Sequence, residues 1–241
     1  MRYLLLIVFT VFSYTLQAQV FINKGMIEYQ VVSNNHKALG EGTWAEMIRD
    51  KIPKLSTSFY QLTFDGDKSI YQFNRNDEKT KAPWGNEGAE ENVWYNDYSQ
   101  ENFVQQKVVF GDTYILTDSL LHIDWKVTNE TREIAGFNCR KAVGKLFDSV
   151  YVFAFYTDEI TVSGGPMSMH GLPGMIMGIT IPRMFSSWVA TKLEVNGVNY
   201  TKIIAPTKGK KKKAKELQQT VLQATKDWGS WGQQAVWKIF L

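Results

Sequence analysis

Apolar and polar residues alternate through most of this chain. "GMIEYQVVS" (25–33) changes character at every second position, the period of a strand with one buried face. "STSFYQLTF" (56–64) and "KSIYQFNRN" (68–76) repeat the pattern on either side of Asp65-Gly66-Asp67, which predicts a hairpin. The two aspartates also have the chemistry of a calcium loop, but the turn explains them without a metal. Further strands are predicted at "NVWYNDYS" (92–99), "NFVQQKVVF" (102–110) and "TYILTDS" (113–119), the last two parted by Gly111-Asp112. "IDWKVTNETREIAGFNCRKAVGKL" (123–146) reads as three short strands with a turn near Ala135-Gly136. "SVYVFAFYT" (149–157) is apolar on both faces, so a central position is expected. "GMIMGITI" (174–181), "SSWVATKLEVNG" (186–197), "NYTKIIAP" (199–206) and the tail "QQAVWKIFL" (233–241) complete about eleven strands.

Helical spacing occurs twice. "TWAEMIRD" (43–50) opens on Thr43 as N-cap with Glu46 three residues on, the spacing of a capping box, and Pro53 ends it. Residues 213–227 carry Leu217, Val221, Leu222 and Ala224 toward one side. Residues 77–92 are polar, with glycine and proline, and read as a loop. The predicted fold is mainly β: a single antiparallel curved sheet, as a half-barrel or sandwich, with one or two short helices. The concave face of such a sheet needs a cover, from the helices or from a ligand.

The first residues change the picture of where this fold works. Met1-Arg2, an apolar run over 3–12 and Leu16-Gln17-Ala18 have the layout of a secretory signal peptide, with cleavage expected after Ala18. That leaves residues 19–241, about 220 residues, as a single β-rich domain. Cys139 is the sole cysteine, so no internal disulfide forms and a core must hold the fold. Aromatics at 14% suit pleated, half-buried surfaces. Net charge is only +3, and the local excess is six lysines in residues 208–215. With the helix after it, residues 208–227 read as a basic loop and helix near the C-terminus, solvated or in contact with anionic headgroups or an acidic partner. No motif accompanies the run that would make it a nucleic-acid site.

Catalytic constellations are missing. His36, His122 and His170 lie in no zinc-protease helix motif, no serine sits in a G-x-S-x-G elbow, and there is no glycine-rich phosphate loop. Cys139 sits in the alternating "FNCRKAV", which favours packing over nucleophilic chemistry, although Arg140 and Lys141 beside it would lower a thiol pKa. Asp158-Glu159 reads as a solvated pair at a strand end, and Asn129 and Asn199 match the glycosylation pattern.

The densest chemistry lies in "GPMSMHGLPGMIMG" (165–178). Pro173-Gly174 suits the centre of a type II turn, with Leu172 and Ile176 pointing into the core. If the segment is extended, Met167 and Met169 share one face and Met175 and Met177 another, with His170 between them. Thioethers and an imidazole outside the cytoplasm suit Cu(I), which makes Met167, Met169, His170, Met175 and Met177 a candidate metal set. The competing reading is apolar filling, the usual work of methionine.

The hexapeptide Gly171-Leu172-Pro173-Gly174-Met175-Ile176 resembles the signature of the GLPGLI family, secreted proteins of Bacteroidota, with Met175 where leucine is common. "WKVTNETREIAGFNCRKA", "FYTDEITVSGGP" and "GITIPRMFSSWVATKLE" are similar to other blocks of that family. The resemblance implies an exported periplasmic or outer-membrane-associated protein with no established activity and no catalytic residue to carry over. Genes of the family often lie near those of TonB-dependent receptors, which implies a partner among outer-membrane β-barrels or an envelope assembly system. The expected function is therefore non-enzymatic partnering of such a receptor, with the hexapeptide as a partner-binding or structural motif. Two alternatives stand beside it: a carrier that holds a lipid or apolar peptide in a concave sheet, and Cu(I) handling by the methionine and histidine cluster.

Overall fold

A computed structural model gives the structure and describes residues 21–81, 88–147, 150–228, 236, 237 and 239. The expected signal peptide and its cleavage point lie outside the described residues, as does most of the tail.

Among the described residues the strands form one sheet of twelve. They are β1 (Lys24–Asn34), β2 (Leu55–Asp65), β3 (Lys68–Asn76), β4 (Val93–Asp97), β5 (Asn102–Val109), β6 (Asp112–Ser119), β7 (Lys126–Ile134), β8 (Phe137–Leu146), β9 (Val150–Thr157), β10 (Met175–Ile181), β11 (Ser186–Glu194) and β12 (Lys210–Lys213). Their order across the sheet is β12-β6-β5-β4-β3-β2-β1-β11-β10-β9-β8-β7, and the sheet does not close into a barrel. Two meanders meet at β1. The first runs outward from β1 to β6, and the second runs inward from β7 to β11, which pairs antiparallel with β1. The link from β6 to β7 therefore passes from one flank of the sheet to the other.

Alternation builds the two faces. In β1, Ile27, Tyr29 and Val31 are buried while Glu28 and Gln30 are not. Tyr29 stands opposite Tyr60 of β2 on one side and Ala190 of β11 on the other, so one apolar layer runs across the strands. On the opposite face the Glu28 carboxylate accepts hydrogen bonds from Arg75 and from Thr191 Oγ1, a polar surface of the kind an antiparallel sheet can turn to water. The concave core gathers Phe64, Tyr71, Trp94, Cys139, Tyr156, Met175 and Trp188 among others. A smaller core forms where helix α3 (Ala214–Ala224) lays Leu217 and Val221 against Val109 of β5 and Leu116 of β6.

The mainly β expectation holds, and the differences have local causes. The lysine-rich run is not a loop: residues 210–213 form β12, parallel to β6, because the backbone of an edge can be paired while four lysine side chains stay hydrated. Residues 123–146 make two strands, since Trp125 ends an irregular approach and Ala135-Gly136, at φ 51° and 84°, turns one long hairpin. Residues 199–206 form no strand: Asn199 Oδ1 accepts from the Thr201 amide at 3.1 Å and caps a 3₁₀ turn instead. Val236, Trp237 and Ile239 are helical rather than extended. Helices α1 (Asn35–Leu39) and α2 (Thr43–Arg49) lie between β1 and β2. Thr43 lies inside α2 and Gly42 takes the N-cap position without a side-chain bond, so no capping box forms. In α3, Leu222 is 48% exposed and Ala224 is also exposed, while Val221 and Thr225 on the same turn are buried. The strand buried on both faces is β10, not β9, whose Tyr151 is 55% exposed.

Candidate functional site

Residues 158–174 join β9 to β10 and cross the concave face of the sheet as a strap. Polar side chains of the first meander seat it. Asn96 of β4 donates to the Met167 carbonyl at 3.0 Å, and its own carbonyl oxygen accepts from Ser168 Oγ at 2.8 Å. Gln105 of β5 donates to Ser168 Oγ at 2.9 Å. Tyr98 Oη bonds Ser69 Oγ at 2.8 Å and lies directly under Gly164, where a Cβ would meet it at 2.5 Å. The far end is held from two other places. Trp125 Nε1, just before β7, donates to the His170 carbonyl at 2.8 Å, and Tyr29 Oη of β1 donates to the Ile176 carbonyl at 2.6 Å. Each bond gives a partner to a polar group that the apolar surroundings would otherwise leave unpaired.

The hexapeptide is the hinge by which the strap enters β10. The Gly174 amide donates to the Leu172 carbonyl at 2.8 Å, a γ-turn around Pro173, while the Met175 amide donates to the Ile160 carbonyl at 3.1 Å. The expected type II turn is therefore not formed, because the Met175 amide is taken by the other limb of the strap. Gly174 has φ 135°, and a Cβ there would stand 2.0 Å from the Thr157 carbonyl oxygen. Leu172 and Ile176 are buried, as the turn chemistry predicts.

The methionines fill space. Met167, Met169, Met175 and Met177 are all within the main core. The extended geometry on which a shared Met167/Met169 face depended is absent: Met167 has φ 61°, and the Met169 amide donates to the Pro166 carbonyl at 3.2 Å, closing a turn. His170 Nε2 lies 3.1 Å from the Leu121 carbonyl, which can only accept, so that nitrogen carries hydrogen. Burial pushes the His170 pKa down, against the opposing pull of that bond and of Glu101. Cys139 is buried and its pKa is pushed up to about 11, first by burial and then by Glu159, so Arg140 and Lys141 do not activate it. Asp158 lies 3.7 Å from Arg140 in an exposed pair.

The strap divides the concave face into two spaces. Met169 lines a cleft of about 480 Å³ between the β6–β7 link and α3, with largely apolar walls that include the exposed Leu121, His122 and Lys215. Met167 lines a second cavity of about 310 Å³ with buried walls of Tyr71, Trp94, Lys107 and Trp188. Tyr60 stacks on Tyr71 at 5.1 Å, and Trp94 meets Tyr71 edge-on at 5.3 Å. Burial raises the Tyr60 pKa to about 12 and holds the Tyr71 hydroxyl un-ionised as well. Tyr71 Oη lies beside the Trp188 side chain but makes no hydrogen bond of good geometry. The more exposed wall is polar and already paired: Ser58 donates to Asn76 at 2.9 Å and Ser56 to Asn35 at 3.2 Å. Lys107 is the group that sequence reading passed over. In "NFVQQKVVF" its inward parity was visible, since it shares a face with Gln105 and Val109, but a lysine is ordinarily assigned to solvent.

Comparison with known proteins finds a family described as "Protein of unknown function (Porph_ging)", whose profile matches residues 144–178. The matched stretch is the end of β8, β9, the strap and the start of β10. No curated protein matches the chain. Among solved structures, one crystal form of PNGF-II aligns with 86% of this chain at 17% identity and a TM-score of 0.50. A second crystal form aligns at 18% identity and a TM-score of 0.49. The chain spans about a third of PNGF-II, 34% and 33% in the two forms, so the likeness is one of fold over that part. An uncharacterized conserved protein from Thermus thermophilus aligns over 77% of this chain and 90% of its own at 5% identity, with a TM-score of 0.37.

Proposed function

We propose that the protein is a non-enzymatic binding protein that encloses a small apolar molecule on the concave face of its sheet. The observation that carries this reading is the aromatic cavity beside Met167, roofed by the strap and floored by β3, β4 and β11. Small-molecule sites begin at about this size. The hexapeptide and the signal-peptide pattern support placing the chain in the GLPGLI family and outside the cytoplasm. Native mass spectrometry of protein purified without denaturant tests the reading: a retained small molecule, released on unfolding, is the expected result. Protein that carries nothing and takes up no apolar compound would remove it.

A second reading is docking to an outer-membrane β-barrel receptor. Trp44 and Met47, 53% and 61% exposed one turn apart on α2, favour it. Cross-linking in native envelopes tests it, with loss of the receptor adduct expected for Met47→Glu. Cu(I) handling finds less support, because the four thioethers lie in the core and the strap would have to leave its seat to offer them to an ion.

A further inference from the structure

A lysine with no counter-ion among the described residues lies in the wall of the cavity beside Met167. Lys107 is 1% exposed, and its Nζ is buried without a hydrogen-bond partner among the described residues. Its contact there is the face of Trp94, 3.8 Å from Nζ to the ring centroid. A cation over a tryptophan face gains some energy, but not what full hydration supplies, so the site disfavours the ammonium form. Burial accordingly drives the Lys107 pKa well below the ordinary lysine value. The other titratable groups on the cavity wall do not compensate. Tyr60 and Tyr71 are held as neutral phenols, and Glu90 accepts from Asn76 at 2.6 Å on the exposed side. On β6, Lys107 stands opposite Tyr114, whose hydroxyl turns to Asp112 at 3.4 Å.

An apolar side chain of similar length would fill this position at lower cost. What a lysine adds is a donor and a latent positive charge at the buried end of an aromatic chamber. We propose that the cavity takes a small apolar acid, with its carboxylate drawn to Lys107, whose Nζ turns from the Trp94 face to meet it, and its apolar body along the wall that Tyr71, Trp94 and Trp188 help to form. This deepens the binding reading above and rests on it. The volume, about 310 Å³, lies at the small end of the usual range for ligand pockets, which suits a small acid. The aromatic rings offer faces and edges to the ligand body, and a charge-assisted hydrogen bond in a dry site gives the carboxylate its preference over a neutral polar group. Binding of the carboxylate makes the ammonium form more favourable, so the Lys107 pKa rises as the complex forms.

The test is calorimetry on the full mature chain with two acids, 3-phenylpropanoate and octanoate, and their uncharged amides. The acids are expected to bind roughly 10- to 100-fold more tightly than the amides, the span of a charge-assisted hydrogen bond. Lys107→Met is expected to abolish that preference while still binding the amides. Proton uptake, read from wild type in buffers of different ionisation enthalpy, needs no variant and is expected to be no smaller for the acids than for the amides. Equal affinity for acid and amide, or an acid preference that survives in Lys107→Met, overturns the carboxylate assignment and leaves the apolar binding reading standing. Failure of all four compounds to bind overturns both.

Discussion

Asn96 and Met167 are 71 residues apart in sequence, yet the Asn96 amide holds the Met167 carbonyl at 3.0 Å in a fully buried bond. That contact, with the Ser168 hydroxyl on the same side chain, fastens the product of one meander to the face of the other. Removing it strands the Met167 carbonyl in the core, while Ser168 Oγ keeps the bond from Gln105. Asn96→Ala is expected to cost roughly 1–3 kcal/mol in urea unfolding, the penalty for buried groups left unpaired. A loss below about 0.5 kcal/mol, the scatter of neutral substitutions, would show that the strap is seated by apolar packing alone.

The hexapeptide separates into residues with different tolerances. Gly174→Ala places its new methyl group 2.0 Å from the Thr157 carbonyl oxygen, a backbone atom that cannot swing away. The variant is expected to be insoluble or to lack a cooperative thermal transition. Met175→Leu keeps volume in a fully buried position and is expected to cost less than about 1.5 kcal/mol. Thermal melts of the two variants check this, and any side chain at 174 therefore tests folding rather than docking. A cooperative melt for Gly174→Ala near the wild-type midpoint would contradict the geometry.

His170 makes the seat of the strap sensitive to acid. Its folded pKa is depressed from the ordinary histidine value of 6.5, so the folded state resists protonation more than the unfolded chain does. The stability it supports is complete above pH 6.5 and is lost as pH falls from there toward the folded pKa. Carboxylates such as Glu28 and Asp97, also depressed, act only at lower pH. Urea unfolding between about pH 7 and about pH 5, the range in which histidine charge changes, is expected to show falling stability in wild type and a flatter profile in His170→Gln. Identical profiles would place the acid sensitivity elsewhere.

Lys107 is expected to lower stability at neutral pH. Its folded pKa is depressed, so folding there strips a proton or buries a charge, and either is unfavourable until pH approaches the ordinary lysine value of 10.5. Lys107→Met is therefore expected to raise stability by roughly 1–3 kcal/mol at neutral pH, the cost of one unpaired buried polar group. In thermal melts this corresponds to roughly 2–4 °C per kcal/mol for a chain of this size. The gain should shrink as pH rises toward the ordinary lysine value. A destabilised variant would mean that Lys107 already has a strong partner.

Strands were the legible part of the sequence because their signal is local. The period-two pattern of residues 68–76 predicts β3 to the residue, and Asp65-Gly66-Asp67 predicts its hairpin. What failed depended on partners distant in sequence. The parallel pairing of Lys210–Lys213 with β6 has no local signature, and the turn at Pro173 was decided by the Ile160 carbonyl rather than by Pro-Gly itself. The motif at 165–178 was found by its composition, but its work as a strap required knowing that Asn96 and Gln105 face inward. Lys107 went unnoticed for a related reason: strand parity placed it in the core, and its charge argued the other way.

β12 has one further consequence. It closes the order of strands on the β6 side, and lysine occupies each of its four positions. A second copy adding antiparallel to that border would bring lysine against lysine along the whole contact, and like charges directly opposite one another repel. Among the described residues the sheet of twelve strands is open, and on its β12 border it carries its own refusal to pair with a copy of itself.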